Sequence, residues 1–595
     1  MISRRAFLKT AAMGAAASSL PLSMGCRKES IERPNVILII TDDQGYGDLG
    51  VKGNPVIKTP HLDALAKESA EMTQYYVSPV CAPTRACLMT GRYNYRTRAI
   101  DTYIGRAMME PEEVTLAELL NENGYATGIF GKWHLGDSYP MRPQEQGFDE
   151  VLVHRGGGIG QPSDPPGGED KYTDPILFHN GEAKQMQGYC TDIYFDQAMQ
   201  WMENVRPQQP FFIYLPTNAP HTPLHDVPQE LYEHYKAMDL SNDQFPQDQG
   251  HPLSHEVNQD RMARLYAMIT NIDQNVGRLM QRLNELQLTD NTLVLFMVDN
   301  GPQGRRFVSG FKGAKASVYE GGIRSPLFAH WPTVLQAGHQ NDRVVAHIDI
   351  LPTVMEACKL SIPESLKLDG RSFWALLKGE SVDWPDRTIV IQAHRGDQPV
   401  KFHNFAIRSQ RWKLLHDSGF GKETFEGDPQ FELYDMQNDP YEMNNVAGQH
   451  PDKVQELKKA YEVWFEEVSS TRPDNYAPPR IHVGTPHENP VTLTRQDWRH
   501  DKGRPWAEDS NGHWLIYVAE SGTYDVVLRF HSEQKDGQAI LRIGNNEWKQ
   551  AITRDQTELV FKNLLLVKGD TSLKATLELG SVQKGPWQAD VKRVS

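Results

Sequence analysis

The sequence predicts an α/β fold in which a largely parallel sheet is sandwiched by helices, followed by antiparallel modules. Continuous apolar runs, long enough for strands buried on both faces, alternate with amphipathic helical stretches. Four of those runs end in charged or amide residues, as chain leaving a core toward a site would. From about residue 386 the pattern changes to short alternating segments punctuated by turn signals.

The opening residues combine Ser3, Arg4, Arg5, Phe7, Leu8 and Lys9 with a short Ala-rich apolar stretch, the pattern of a twin-arginine-type signal peptide over residues 1–26. That stretch is shorter than the roughly 20 residues a membrane span needs. The expected partner is the twin-arginine export machinery, and the expected location is periplasmic or secreted. Cys26 offers a lipid anchor, although Ser23, Met24 and Gly25 lack the leucine expected just upstream of such a site.

The catalytic α/β domain is expected over 33–385. NVILIITDD, YATGIFGKWH, FFIYLPTNAPH and TLVLFMVDNG read as buried strands. Between the last two, Met262, Leu265, Ile269, Ile272, Val276, Leu279, Leu283 and Leu286 recur at helical spacing. A small antiparallel α+β subdomain is expected over 386–472, from IVIQAH, FAIRSQRWKLLH, FELYDM and a helix bearing Val454, Leu457, Tyr461, Trp464 and Val468. The Pro- and Asn-rich stretch 473–489 reads as a linker, and 490–595 as a β-sandwich accessory domain. In the sandwich, Trp498, Trp506, Trp514, Trp548 and Trp587 are open to two uses, as core or as platforms for sugar rings.

The chain has 595 residues and a formal net charge of −15, more negative once a leader carrying Arg4, Arg5 and Lys9 is lost. Such a chain is a poor non-specific binder of nucleic acid, and no nucleic-acid partner is expected. Beyond Cys26, the cysteines at 81, 87, 190 and 358 form neither a disulfide framework nor a zinc spacing. Metal chemistry therefore falls to the carboxylates. Asp42 and Asp43 with Asp299 and Asn300 make an oxygen-only ligand set, suited to Ca²⁺, with Mg²⁺ as the alternative. Lys132 and His134 close another strand, where alternation puts both on one side of an extended segment, and His221 follows a third.

The run CAPTRACLMTGR, with Cys81, Pro83 and Arg85 in register, resembles the signature of the formylglycine-dependent (type I) sulfatases of the alkaline-phosphatase-like superfamily. GYATGIFGKWHLG resembles their second signature at Gly124, Thr127, Gly131, Lys132 and His134, and the likeness runs from about residue 34 to 470. It implies an alkaline-phosphatase-like mixed sheet and a Cys81 oxidised to formylglycine by a generating enzyme or maturase. The hydrated aldehyde would be the nucleophile, with Arg85 neutralising its developing charge. By the same resemblance Lys132 binds sulfate and the diol, His134 takes the diol proton that releases sulfate from the covalent intermediate, and His221 protonates the leaving oxygen. Lys315 binds sulfate; counting back from Glu320, Gly321 and Gly322 selects it over Lys312.

The expected activity is an exported, metal-dependent hydrolysis of a sulfate ester, of a sulfated carbohydrate, to alcohol and inorganic sulfate. The alternatives are a phosphonate monoester or phosphodiester hydrolase of the same superfamily, and an inactive carbohydrate-binding protein. HRGGGIGQ replaces the serine or histidine that many arylsulfatases carry after QGFD, and it reads either as a backbone cradle for substrate or as a flexible loop. Arg155, Arg305, Arg306, His394 and Arg395 are candidates for reading the sugar from loops.

Overall fold

The computed structural model describes residues 33–595 apart from 207, 254–255, 473, 475, 503 and 533–534. The leader and Cys26 lie outside the described residues. Among these residues no helix is long and apolar enough to cross a membrane.

The α/β architecture expected from the sequence is present. Its central sheet has ten strands, five of them consecutive and parallel: Thr292–Val298, Asn35–Thr41, Phe211–Pro216, Ala126–Lys132 and Glu150–His154. The apolar runs are continuous because both faces of these strands are covered. Val36, Leu38 and Ile40 face one core with Phe212, Tyr214, Leu295 and the Cys81–Thr90 helix. Ile37 and Ile39 face the other, with Ile213, Phe296 and the long Gln259–Glu285 helix. Each fully buried aliphatic side chain contributes about 1.5–3 kcal/mol, so the register of these strands is strongly specified.

Register positions the site. Thr41 pairs with Val298, so the residues following each strand emerge side by side at the carboxyl edge. The neighbouring strand can close against Pro216 because residue 131 is glycine; a Cβ there would stand 1.9 Å from the Pro216 carbonyl oxygen.

Ile389–Gln392, Phe405–Arg408, Trp412–His416 and Glu432–Asp435 form an antiparallel sheet, followed by the Pro451–Ser470 helix. Beyond it two sheets pack face to face around Trp514, Ile516, Val526, Leu541, Leu573 and Val591. The 473–489 stretch is not wholly a linker: Ile481–Val483 is a strand of the sandwich, paired in parallel with Ile516–Val518. Its surrounding prolines and glycines mask so short a strand. Trp498 and Trp514 are fully buried, so the sugar-platform reading fails for these two.

Where the sandwich meets the α/β domain, the Asp137 amide donates to Asp497 Oδ2 at 3.4 Å, and both carboxyls are buried. Burial pushes Asp497 up to about 7 despite the bond from the Asp137 amide. Burial, then the Asp497 charge, pushes Asp137 well up. A carboxyl whose pKa rises on folding favours the fold below its unfolded pKa near 4, and that contribution is lost as pH rises from about 4 through 7. Asp497→Asn should therefore be more stable than the parent at pH 8, by up to about 4 kcal/mol, and indistinguishable from it below about pH 4. Thermal denaturation across that range checks this; a difference independent of pH would sink it.

Candidate functional site

Asp42 and Asp43 follow one central strand, and Asp299 and Asn300 follow its neighbour; all four are fully buried. The Asp43 amide donates to Asp299 Oδ1 at 3.1 Å, and Asn300 Nδ2 donates to Asp43 Oδ1 at 2.9 Å. Asp43 adopts φ = 62°, an uncommon conformation for a residue with a Cβ, at the turn away from the strand. Arg306 supports this turn, donating to the Asp43 carbonyl at 2.8 Å while its guanidinium pairs with Asp48 at 2.6 Å.

Each carboxylate has a cation. Arg85 meets Asp299 at 2.8 Å, Lys132 meets Asp42 at 2.5 Å, and Lys315 meets Asp43 at 2.5 Å. Lys312, the other lysine of that segment, lies over the Tyr319 ring at 3.6 Å and near Glu432. Burial opposes charge on Lys315, yet Asp43, Cys81 and Asp42 raise its pKa overall. Asp299 is pushed up to about 7 by burial and by Asp42, against the pull of Arg85 and Lys132.

Asp42 Oδ1, Asp43 Oδ2 and Asn300 Oδ1 are buried acceptors with no hydrogen-bond partner. An orphaned buried acceptor costs about 1–3 kcal/mol. Side-chain ligand atoms of Asp42, Asp299 and Cys81 lie within 4.8 Å of one another. Orphan oxygens together with crowded carboxylates fit a hard divalent cation.

Cys81 opens the Cys81–Thr90 helix and is 2% exposed. Thr84 Oγ1 donates to the Asp299 carbonyl at 2.7 Å and ties this helix to the strand end. Burial raises the Cys81 thiol pKa, with Lys132 and Lys315 opposing.

The two histidines are held differently. His134 lies beyond the strand that ends at Lys132 and has φ = 60°, so the expected extended Lys132–His134 segment is not formed. Alternation reads only through the last strand residue, and the chain turns after it. His134 Nε2 donates to the Thr102 carbonyl at 2.8 Å, leaving Nδ1 buried and without a hydrogen-bond partner. Burial, then Lys132, pushes its pKa well down, which favours the neutral ring. His221 Nδ1 donates to the Thr222 carbonyl at 2.7 Å, and its Nε2 stands 3.6 Å from Asp43 Oδ2. Burial brings His221 down to about 4, with Asp43 opposing and Lys315 and Lys132 adding to the fall.

The HRGGGIGQ run packs directly on these rings. A Cβ on Gly157 would stand 2.7 Å from His134 Nε2, and one on Gly158 would stand 2.7 Å from His221 Nδ1. Its glycines are thus a packing requirement. The Gln161 amide approaches the same two glycine positions, at 2.6 and 3.0 Å from the added Cβ atoms. Sequence reading singled out the run without assigning Gln161, and nothing in the sequence marked Thr102.

Of the sugar-reading candidates, Arg305 is exposed in a cleft of about 590 Å³ that it lines with Phe311, Lys312, Lys315, Tyr319 and Asp417. The other four are engaged within the protein. Arg306 braces Asp43 as described. Arg155 lies over Phe178 at 3.8 Å and pairs with Glu488. Arg395 pairs with Asp101 at 2.5 Å and lies over Tyr103, and His394 is buried against backbone. His225 is exposed and faces Asp170.

A family model described as Sulfatase matches residues 34–360, and that of the N-sulphoglucosamine sulphohydrolase C-terminal region matches 312–469. The chain is 30% identical to human arylsulfatase A, over 74% of this chain and 89% of that protein. It is 28% identical to the N-acetylgalactosamine-6-O-sulfatase of Bacteroides thetaiotaomicron, over 73% of this chain and 93% of that one. The crystal structure of Ps i-CgsB in complex with k-i-k-neocarrahexaose aligns with a TM-score of 0.61 and 31% identity, covering 73% of this chain and 93% of that one. With a family match spanning more than half of its length, the chain belongs to the sulfatase family, as a type I sulfatase of the alkaline-phosphatase-like superfamily and a sulfuric ester hydrolase.

Proposed function

We propose that the protein hydrolyses sulfate esters of a carbohydrate through a formylglycine made from Cys81, with a divalent cation, Ca²⁺ or Mg²⁺, held by Asp42, Asp43, Asp299 and Asn300. The observation that carries this reading is the alternation of Arg85, Lys132 and Lys315 with buried carboxylates around Cys81, beside two histidines each fixed in one tautomer. Similarity to proteins named as acting on, or bound to, carbohydrates supports the substrate class. The exposed Arg305 and the half-buried Lys312 in the adjoining cleft suit an anionic saccharide.

A thiol whose pKa is raised by burial is a weak nucleophile at neutral pH, which weighs against direct attack by the unmodified cysteine. When present, the cation would supply Lewis acidity toward a sulfate oxygen, and formylglycine would supply a hydrated aldehyde as the oxygen nucleophile for the new O–S bond, with the Asp299 carboxylate beside residue 81 placed to take the proton of the attacking hydroxyl. Lys132 and Lys315 then bind non-bridging oxygens, and Arg85 holds the developing negative charge. An anionic ester beside these two lysines joins Asp43, 3.6 Å from Nε2, in opposing the burial and cationic charge that depress His221, so its ring can carry a proton at Nε2. That proton passes to the alcohol oxygen as the S–O bond breaks. His134 Nδ1, the free nitrogen of a ring fixed through Nε2, would accept the proton of the remaining hydroxyl, so that the aldehyde C=O re-forms as the C–O bond to sulfate breaks and inorganic sulfate departs.

In protein from a host able to modify sulfatases, the Cys81 peptide should weigh about 18 Da less than its cysteine form. Cys81→Ala should lower kcat by at least about 10³-fold. An unmodified, fully active Cys81 would overturn the mechanism. Chelation should abolish turnover, with Ca²⁺ or Mg²⁺ restoring it; activity indifferent to chelator would remove the cation. Rates on sulfated oligosaccharides, aryl sulfates and matched phosphate or phosphonate esters test the substrate. Cleavage confined to aryl esters would end the carbohydrate reading, and faster phosphoryl turnover would favour the phosphonate or phosphodiester alternative.

A further inference from the structure

The Thr102 carbonyl that receives His134 Nε2–H also receives Gln496 Nε2–H, at 2.9 Å, from a residue 394 positions away in the sandwich. A carbonyl oxygen has two lone pairs, and these two donors use both. The grip is doubled, because the Gly105 amide donates to the Gln496 carbonyl at 3.1 Å. Between Thr102 and that contact, Ile104 at φ = 53° and Gly105 at φ = 73° make a turn closed by the Arg106 amide on the Tyr103 carbonyl at 2.9 Å. Asp497 stands so close that a Cβ on Gly105 would meet its carbonyl oxygen at 2.9 Å. Arg499 reaches the Ile104 carbonyl, and Trp506 meets the Tyr103 ring edge-on at 5.4 Å.

The sandwich also holds the glycine run. Gln588 Nε2 donates to the Asp164 carbonyl at 3.1 Å. The Asp164 carboxylate binds the Gly160 and Asp170 amides at 2.8 Å each and His154 at 2.8 Å. Both glutamines are almost fully buried, at 1% and 2% exposure. Both lie beyond residue 469, where the family matches end.

We propose that the C-terminal sandwich is part of the catalytic frame, in which Gln496 is a positioning residue that fixes His134 through the Thr102 carbonyl. Holding that carbonyl keeps the His134 proton on Nε2 and Nδ1 free to accept one. This rests on the role given to His134 above.

The test uses the full-length, modified enzyme. Gln496→Met keeps the volume and removes the donor, and Gln496→Leu, also lacking it, is measured alongside in case the methionine form does not accumulate. Loss of a partner that orients a working histidine costs about 10–100-fold in activity, so kcat should fall in that range. KM should fall with it, leaving kcat/KM within about threefold of the parent, and the melting temperature should hold. Because His134 acts after the alcohol has left, the kcat of the variant should be the same for good and poor leaving groups, with a burst of alcohol before steady turnover. In a His134→Ala background, adding Gln496→Met should cost nothing further. An unchanged kcat in Gln496→Met, or a loss that multiplies with that of His134→Ala, overturns the proposal while leaving His134 its role. A His134→Ala enzyme with parental kcat overturns both.

Discussion

The structure depends on bringing like charges together at the carboxyl edge of a parallel sheet and neutralising them with buried cations, away from bulk solvent. Asp42, Asp43 and Asp299 have no exposure, and neither do Arg85 and Lys132. Removing one partner of a buried pair leaves an uncompensated charge, at a cost of about 3–5 kcal/mol. The arrangement is therefore all-or-none. It requires the Thr41–Val298 register, the helix that begins at Cys81, and the close approach allowed by Gly131. Its residual strain, seen in the orphan acceptors and the raised Asp299, is what a bound cation would relieve.

A similar buried arrangement anchors the segment that carries Lys315. Lys413 pairs with both Glu320 and Glu442, at 3.0 and 2.6 Å, and the Glu320 amide donates to Glu442 at 2.8 Å. The antiparallel sheet thereby fixes the turn behind Lys315. An acidic protein thus presents a local concentration of positive charge toward its cleft, where Arg305 and Lys312 extend it.

Much of this was legible in the sequence because buried parallel strands announce themselves as unbroken apolar runs, and the residues that end them must turn polar. Asp42, Asp43, Asp299, Asn300 and Lys132 were found in that way, and the runs around Cys81 and Lys315 by family likeness. Backbone turns were not legible: nothing in KWH reports the positive φ at His134. Nor does a sequence disclose the partner of a charge, so Arg306 and Arg155 looked like substrate readers although each is committed to a buried carboxylate. Gln496 carries no local signal at all. Its importance comes from a contact across most of the chain, made by a sandwich whose sequence advertises only its own alternation.

The burial of Cys81 sets a clock on the conversion proposed for it. An enzyme that oxidises this side chain needs access that the finished fold denies, since residues 42, 132, 299 and 315 surround it. Roughly 230 residues separate Cys81 from Lys315, so ribosomal synthesis at 5–20 residues per second leaves on the order of 10–50 s before the enclosure can be completed. Under the proposed conversion of Cys81 to formylglycine, maturation is a race between a modifying enzyme and the chain's own collapse. Hosts that differ in translation speed would yield different fractions of competent protein from one identical sequence.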